Sequence, residues 1–242
     1  MGHKSAAGQP CVYILKFEKP MYHNLKNTLL LLLLAGGCAS AQQESLQKSK
    51  TFKQMNDQQP AHTAQHMDTA TFGAGCYWCT EAQFQQLDGV IKVESGFSGG
   101  HVENPTYHQV CDGTTGHAEV CNIYYDASKI SYDELLAAFW TCHDPTQLNR
   151  QGNDVGTQYR SVIFYHNAEQ HKKAEEYKKK LNDEKVFSGP VVTEISPFKK
   201  FYKAEDYHQN YYNENGSQPY CQFVIRPKLE KFQKVFKNKL KK

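Results

Sequence analysis

The spacing of apolar residues divides the chain into parts. Residues 29–34 are six consecutive leucines. From 42 to 67, Gln, Lys, Ser and His dominate and no hydrophobic period appears, as in a flexible linker. A folded domain is predicted from Asp68 onward. Residues 70–72 predict a short strand running into Gly73-Ala74-Gly75. A helix is predicted over 76–87, with Gly89 just past its end as a stop signal. Residues 90–97 alternate as a strand that ends at Ser98-Gly99-Gly100, and 118–125 form another, closed by Asp126. Ser131-Tyr132-Asp133-Glu134 is a capping box, opening a helix with Leu135, Leu136, Phe139 and Trp140 on its apolar side. A polar loop spans 143–158, and a loop of that length usually has a function. Strands are predicted at 161–165 and 191–195, a charged surface helix at 168–181, and a further helix over 201–212. There is no internal repeat and no Gly-rich dinucleotide loop. The expected fold class is α+β, a single two-layer α/β sandwich domain (68–228) with a mixed or antiparallel sheet.

The leucine run has Lys26 before it and small residues, 35–41, after it. This is the layout of a secretory signal over residues 1–41, and the run is too short to span a bilayer. Counted from Met1 the leader is long; counted from Met21 its proportions are ordinary, which points to Met21 as the start. Ala39-Ser40-Ala41 fits a soluble-export cleavage. The small residues before Cys38 also resemble a bacterial lipoprotein box, in which Cys38 would take a lipid and anchor the protein to the membrane. Both routes stay open. The expected location is outside the cytoplasm, in a bacterial periplasm or as a membrane-anchored lipoprotein.

Composition adds limits. Net charge is only +3 over 242 residues, with no strong basic footprint for nucleic acid. Eight cysteines in a chain this size do not suggest a small disulfide scaffold. The tail over 229–242 places Leu229, Phe232, Val235, Phe236 and Leu240 near helical spacing among many lysines. A helix docked on the domain with a solvated face is the expected reading, with contact to an anionic membrane surface as the alternative.

Candidate chemistry begins at Cys76. A strand, a Gly turn and a cysteine at a helix start predict a thiolate, because unpaired N–H groups and the positive helix end favour the anion. A lone cysteine is more often a small buried hydrophobe. Cys79 changes the balance: one helical turn on, it lies near the same face and could attack an oxidised Cys76. Cys-x-x-Cys fits a thioredoxin-like redox pair, half a zinc site, or a nucleophile with its resolving thiol. No second close pair is present, so zinc is the weakest of the three.

Gly75-Cys76-Tyr77-Trp78, with Glu81 and Phe84, resembles the signature of the peptide methionine sulfoxide reductase A family. Further segments match in order: Asn104-Pro105-Thr106-Tyr107, Thr115-Gly116-His117-Ala118-Glu119-Val120, His143-Asp144-Pro145-Thr146, Asn149-Arg150-Gln151-Gly152-Asn153-Asp154 and Gly156-Thr157-Gln158-Tyr159-Arg160-Ser161. The resemblance covers about 69–228 and implies a two-layer α/β core. It implies that Cys76 attacks the sulfur of methionine-S-sulfoxide, free or in oxidised proteins, and that Glu119 protonates the oxygen. Tyr107, Asp154 and Tyr159 would hold that oxygen, while Tyr77 and Trp78 wall a pocket for the S-methyl group. The chemistry suits these types, since a sulfoxide oxygen leaves only when protonated and a buried carboxyl keeps its proton. Taken singly, each of these residues would pass as an ordinary tyrosine, turn aspartate or strand charge.

The resemblance also implies a sulfenic acid on Cys76 that closes to a disulfide and is restored by a thioredoxin-like dithiol. No metal or organic cofactor is expected, and a monomer is. Two cysteines compete to resolve Cys76. The Tyr220-Cys221 pair resembles a family site for that role. On that resemblance Cys221 is the expected one; helix geometry makes Cys79, often glycine in the family, plausible as well, although a disulfide within one helical turn is strained. A general thiol–disulfide oxidoreductase built on Cys76 and Cys79 is the alternative function. Cys111, Cys121 and Cys142 are expected to be structural.

Overall fold

The computed structural model describes residues 66–242. The leucine run, Met21, Cys38 and the linker through residue 65 lie outside the described residues. In chain order the elements are β1 (Met67–Ala74), α1 (Tyr77–Phe84), β2 (Val90–Ser98), α2 (Tyr107–Cys111), β3 (Ala118–Asp126), α3 (Tyr132–Cys142), β4 (Arg150–Gln151), β5 (Asp154–Val155), β6 (Ser161–Tyr165), α4 (Ala168–Asp183), β7 (Glu194–Pro197), β8 (Phe201–Lys203), α5 (Tyr211–Glu214) and α6 (Arg226–Val235). A π-helical turn, Cys221–Ile225, leads directly into α6.

Six strands form one sheet in the order β7-β6-β1-β3-β2-β8, and β4 pairs with β5 separately. Within the six-stranded sheet only β6 and β7 run parallel. The fold is therefore α+β with a mixed sheet, as expected. β1 is central and covered on both faces, so residues 70–77 are all buried and no alternation marks the strand. On one face Phe72 packs 4.9 Å from Phe139 and 5.8 Å from Phe84 between ring centres. Ala118, Val120, Val162 and Phe164 form a smaller cluster, flanked by Phe198 and Phe201. Full burial of a side chain such as Phe72 contributes about 1.5–3 kcal/mol. The capping box at Ser131 forms as predicted: Ser131 N–H donates to Glu134 Oε2 at 2.8 Å, and Glu134 N–H donates to Ser131 Oγ at 3.3 Å.

Several expectations need correction. Residues 201–212 are not one helix. Phe201–Lys203 is instead edge strand β8, paired with residues 96–98 of β2. The contact is close because Gly96 carries no side chain; a Cβ there would lie 2.4 Å from the Phe201 ring. Helix-like spacing of the aromatics in this stretch hid a strand that its partner β2 completes. The short helix α2 was missed, although Thr106 and Gln109 form a second capping box. The strand predicted at 191–195 pairs only from Glu194. Helix α1 begins at Tyr77, with Cys76 as its N-cap at φ −58°, ψ 125°.

The C-terminal helix is docked. Leu229 and Phe232 are buried, and the Phe232 ring lies 6.3 Å from that of Phe84. Beyond it, Asp88 N–H donates to the Lys239 carbonyl and Lys241 N–H to that of Gln86, both at 2.8 Å. Among the described residues no helix is long and apolar enough to cross a membrane.

Candidate active site

Gly75 sets the site's geometry. It turns the chain off β1 at φ +90°, which L side chains rarely adopt, and a Cβ there would lie 2.6 Å from Cβ of Gln151. The turn delivers Cys76 to the start of α1, facing β3. In β3, Ala118 and Val120 face the smaller cluster while Cys121 and Ile123 join the main core. Glu119, alternating with the first pair, lies on the face toward α1. Its Oε2 accepts the Tyr77 N–H at 3.1 Å.

The N-terminal charge of α1 is thus spent on Glu119 rather than on Cys76, whose sulfur makes no capping hydrogen bond. This overturns the expected Cys76 thiolate. Burial, followed by the hydrogen bond and charge of Cys79, pushes the Cys76 thiol well above its usual range. Cys79 moves the other way: the hydrogen bond from Cys76 lowers it, burial opposes, and the Lys228 charge lowers it further. Burial holds Glu119 at about 8 despite the Tyr77 N–H, so its carboxyl is protonated near neutral pH.

A cleft of about 180 Å3 is lined by Cys76, Tyr77, Trp78, Tyr107, Glu119, Asp154, Tyr159 and Tyr220. Seven of these eight were predicted from the sequence. The volume is below that of a typical cofactor pocket, ~300–1,000 Å3, and suits the tip of one side chain. Trp78 stacks on Tyr211 with ring centres 3.7 Å apart. Tyr107 opens α2, and its N–H donates to Glu205 Oε1 at 3.1 Å. Burial raises the phenols of Tyr107 and Tyr159, which therefore stay protonated as donors.

Asp154 and Tyr159 ride on the long loop, which is tightly braced. His143 Nε2 lies 2.7 Å from Ser161 Oγ, and the Asp144 carboxylate accepts from Thr146 and Gln147. Gln151 exchanges two hydrogen bonds with the Asp144 backbone.

Tyr220 was singled out only as the neighbour of Cys221, yet it is the cleft residue: its hydroxyl donates to Asp154 Oδ2 at 2.8 Å and lies 4.0 Å from Cys79 Sγ. Cys221 is fully buried at the start of the π-helical turn and does not line the cleft. Cys121 donates to the Tyr77 carbonyl and Cys142 to that of Phe139, as structural thiols would. Cys111 lies on α2 below Tyr107, where its thiol and the Tyr107 phenol interact. Lys228, whose ammonium reaches Cys79, carried no signal that singled it out.

Two free, buried thiols one helical turn apart, set beside a carboxyl that keeps its proton, define an oxidoreductase that works through its own cysteines. The model of the family described as peptide methionine sulfoxide reductase matches residues 68–240. Enzymes named peptide methionine sulfoxide reductase MsrA are similar along almost their whole length. That of Saccharolobus solfataricus is 57% identical over 175 residues, 72% of this chain and 98% of its own. That of Acinetobacter baumannii is 55% identical over 176 residues, 71% of this chain and 100% of its own. Among solved structures, methionine sulfoxide reductase A of Corynebacterium diphtheriae aligns with TM-score 0.59 and 38% identity over 69% of this chain and 80% of that one. Reduced Mxr1 of Saccharomyces cerevisiae aligns with TM-score 0.61 and 33% identity over 65% of this chain and 90% of that one. The chain belongs to the peptide methionine sulfoxide reductase A family, and it is an oxidoreductase acting on peptide methionine (S)-S-oxide.

Proposed function

We propose that Cys76 is the nucleophile, Glu119 the acid and Cys79 the resolving thiol. The observation that carries this reading is the juxtaposition of Cys76 with a buried, proton-retaining Glu119 in one small cleft. The methyl sulfoxide enters between Tyr77 and Trp78, whose rings favour a thioether by sulfur–aromatic contact. Tyr107, Tyr159 and Asp154 hold the oxygen, and Glu119 protonates it as the sulfur–oxygen bond breaks. One thiol and one sulfoxide become one sulfenic acid and one thioether. The Cys76 sulfenic acid and the Cys79 thiol then form a disulfide and release water. A thioredoxin-like dithiol returns both to thiols. Oxidised proteins and free methionine sulfoxide are both substrates, and the enzyme acts as a monomer.

Geometry favours Cys79 over Cys221 for the second step. Cys76 is the N-cap, outside the helix, so its torsions are not bound to helical values and the strain of a one-turn disulfide is eased. Cys79 follows one helical turn later, its N–H donating to the Cys76 carbonyl at 3.1 Å. Treatment with methionine sulfoxide in the absence of reductant, followed by peptide mapping, should yield a Cys76–Cys79 link. A Cys76–Cys221 link would transfer the role to Cys221. Replacing Cys76 with Ser should abolish methionine formation, and appreciable residual turnover would remove its role as nucleophile.

We also propose that residues 1–41 export the protein, with Cys38 lipidated. Cys38→Ala should move it from the membrane fraction to the soluble periplasmic one. An unchanged distribution would reject the anchor.

A further inference from the structure

The buried stripe of the C-terminal helix contains one charged residue. Ile225, Leu229 and Phe232 are buried and share a face with Lys228 at spacing i, i+3, i+4, i+7. A lysine on such a stripe ordinarily bends its amine out to water. Here Nζ turns inward and lies 3.7 Å from Cys79 Sγ. Among the described residues Lys228 forms no ion pair with a carboxylate. A half-buried ammonium without a counter-charge is costly, so the place it occupies calls for an anion. The Tyr220 hydroxyl touches the same sulfur but is committed as a donor to Asp154. Lys228 is therefore the donor available to a Cys79 thiolate. The π-helical turn, wider than an α-turn, precedes this helix and sets the register in which 225, 228, 229 and 232 face inward.

We infer that Lys228 is a positioning residue for enzyme recycling: its ammonium holds Cys79 as a thiolate directed at Cys76, ready to attack the Cys76 sulfenic acid. This rests on the roles proposed above for Cys76 and Cys79. In the step, the Cys79–Cys76 sulfur–sulfur bond forms and the Cys76 sulfur–oxygen bond breaks. Cys79 is oxidised, the sulfenic sulfur is reduced, and the departing hydroxide takes a proton to leave as water. The disulfide is then reduced by the external dithiol. Tyr220 and Lys228 touch the Cys79 sulfur; the other titratable groups in electrostatic range are Cys76, Asp154 of β5, Glu119 of β3, Cys142 of α3 and Cys221 of the C-terminal segment. Lys228 is the cation in that set, and its charge lowers the Cys79 thiol.

The test compares full-length wild type, Lys228→Met and Lys228→Arg in single turnover with methionine sulfoxide. Dimedone capture measures the lifetime of the Cys76 sulfenic acid, with pH varied from 6 to about 9.5 to follow ionisation of a thiol. Methionine has no charge but fills the same apolar stripe. In Lys228→Met the sulfenic acid should persist about fivefold longer near neutral pH, the change in thiolate fraction when a thiol at about 7 rises by one pKa unit. The difference should shrink at high pH, where Cys79 ionises unaided, and Lys228→Arg should restore most of the rate. Equal lifetimes and equal pH profiles in wild type and Lys228→Met would overturn the inference. So would uniform slowing at every pH, which marks a merely structural lysine. A Cys76–Cys221 disulfide in the wild type would overturn it while leaving Cys76 as nucleophile. Failure of the wild type to form any sulfenic acid or methionine would remove the reading of Cys76 itself.

Discussion

Glu119 and Gly75 show how single residues set the chemistry. Glu119 serves as an acid only while protonated, and burial holds it at about 8. The contribution of Glu119 to sulfoxide reduction should therefore be full below that pH and be lost as pH rises through it. Glu119→Gln should lower the rate by roughly 10²–10⁴-fold, the usual contribution of a general acid, and should abolish that pH limb. Single-turnover methionine formation against pH checks both. Gly75 supplies geometry rather than chemistry. Gly75→Ala combines an unfavourable φ with a clash against Gln151, and should cost about 1–3 kcal/mol of stability. It should also lower activity by displacing Cys76, as urea titration and turnover would show. The Gly turn was legible in the sequence, and so was the cysteine after it. The Cys76 thiolate was misread because the sequence does not reveal that Glu119, 43 positions on, takes the helix N–H that the thiolate argument needed.

At the scale of elements, the site depends on clamps between segments distant in sequence. Glu81, buried on α1, accepts the N–H groups of Asn210 at 2.9 Å and Tyr211 at 3.3 Å. It thereby ties α1 to the segment whose Tyr211 stacks on Trp78. Glu81→Ala leaves two inward-facing donors unpaired and should destabilise the fold by roughly 2–4 kcal/mol, with loosened substrate binding. Burial outweighs those hydrogen bonds and raises Glu81 from 4.5 to about 7. The unfolded chain thus loses this proton at lower pH than the folded one. The contribution is full below about 4.5 and is lost as pH rises toward 7. Urea midpoints across that window should decline in wild type and decline less in Glu81→Gln. Glu81 stood in the sequence as part of a motif, but its partners became visible only once residues 210–211 were folded against it.

At the scale of the whole molecule, the C-terminal helix α6 packs on α1, near the start of the described residues. Removing residues 229–242 takes Leu229 and Phe232 from the core and uncovers Phe84. Loss of Phe232 alone should cost about 3–5 kcal/mol by the usual price of a large buried aromatic, so the truncated protein should melt far lower or not fold cooperatively. If the tail were only a membrane-contacting appendage, its removal would leave the melting temperature unchanged. Local information was enough for much of this protein. Turn chemistry, capping boxes and the strand and helix periods placed β1, β2, β3, β6, α1, α3 and α4 to within a few residues, and these are properties of neighbours along the chain. Seven of the eight residues that line the cleft were named through the resemblance to the reductase family, not by spacing alone. Tertiary structure decided which face of β3 Glu119 takes, that Phe201–Lys203 completes a sheet, that Tyr220 rather than Cys221 lines the cleft, and that Lys228 points at Cys79. Each of these depends on burial and on charges brought together across 40 to 150 residues of chain, and pairwise contacts of that range leave no period in the sequence to read.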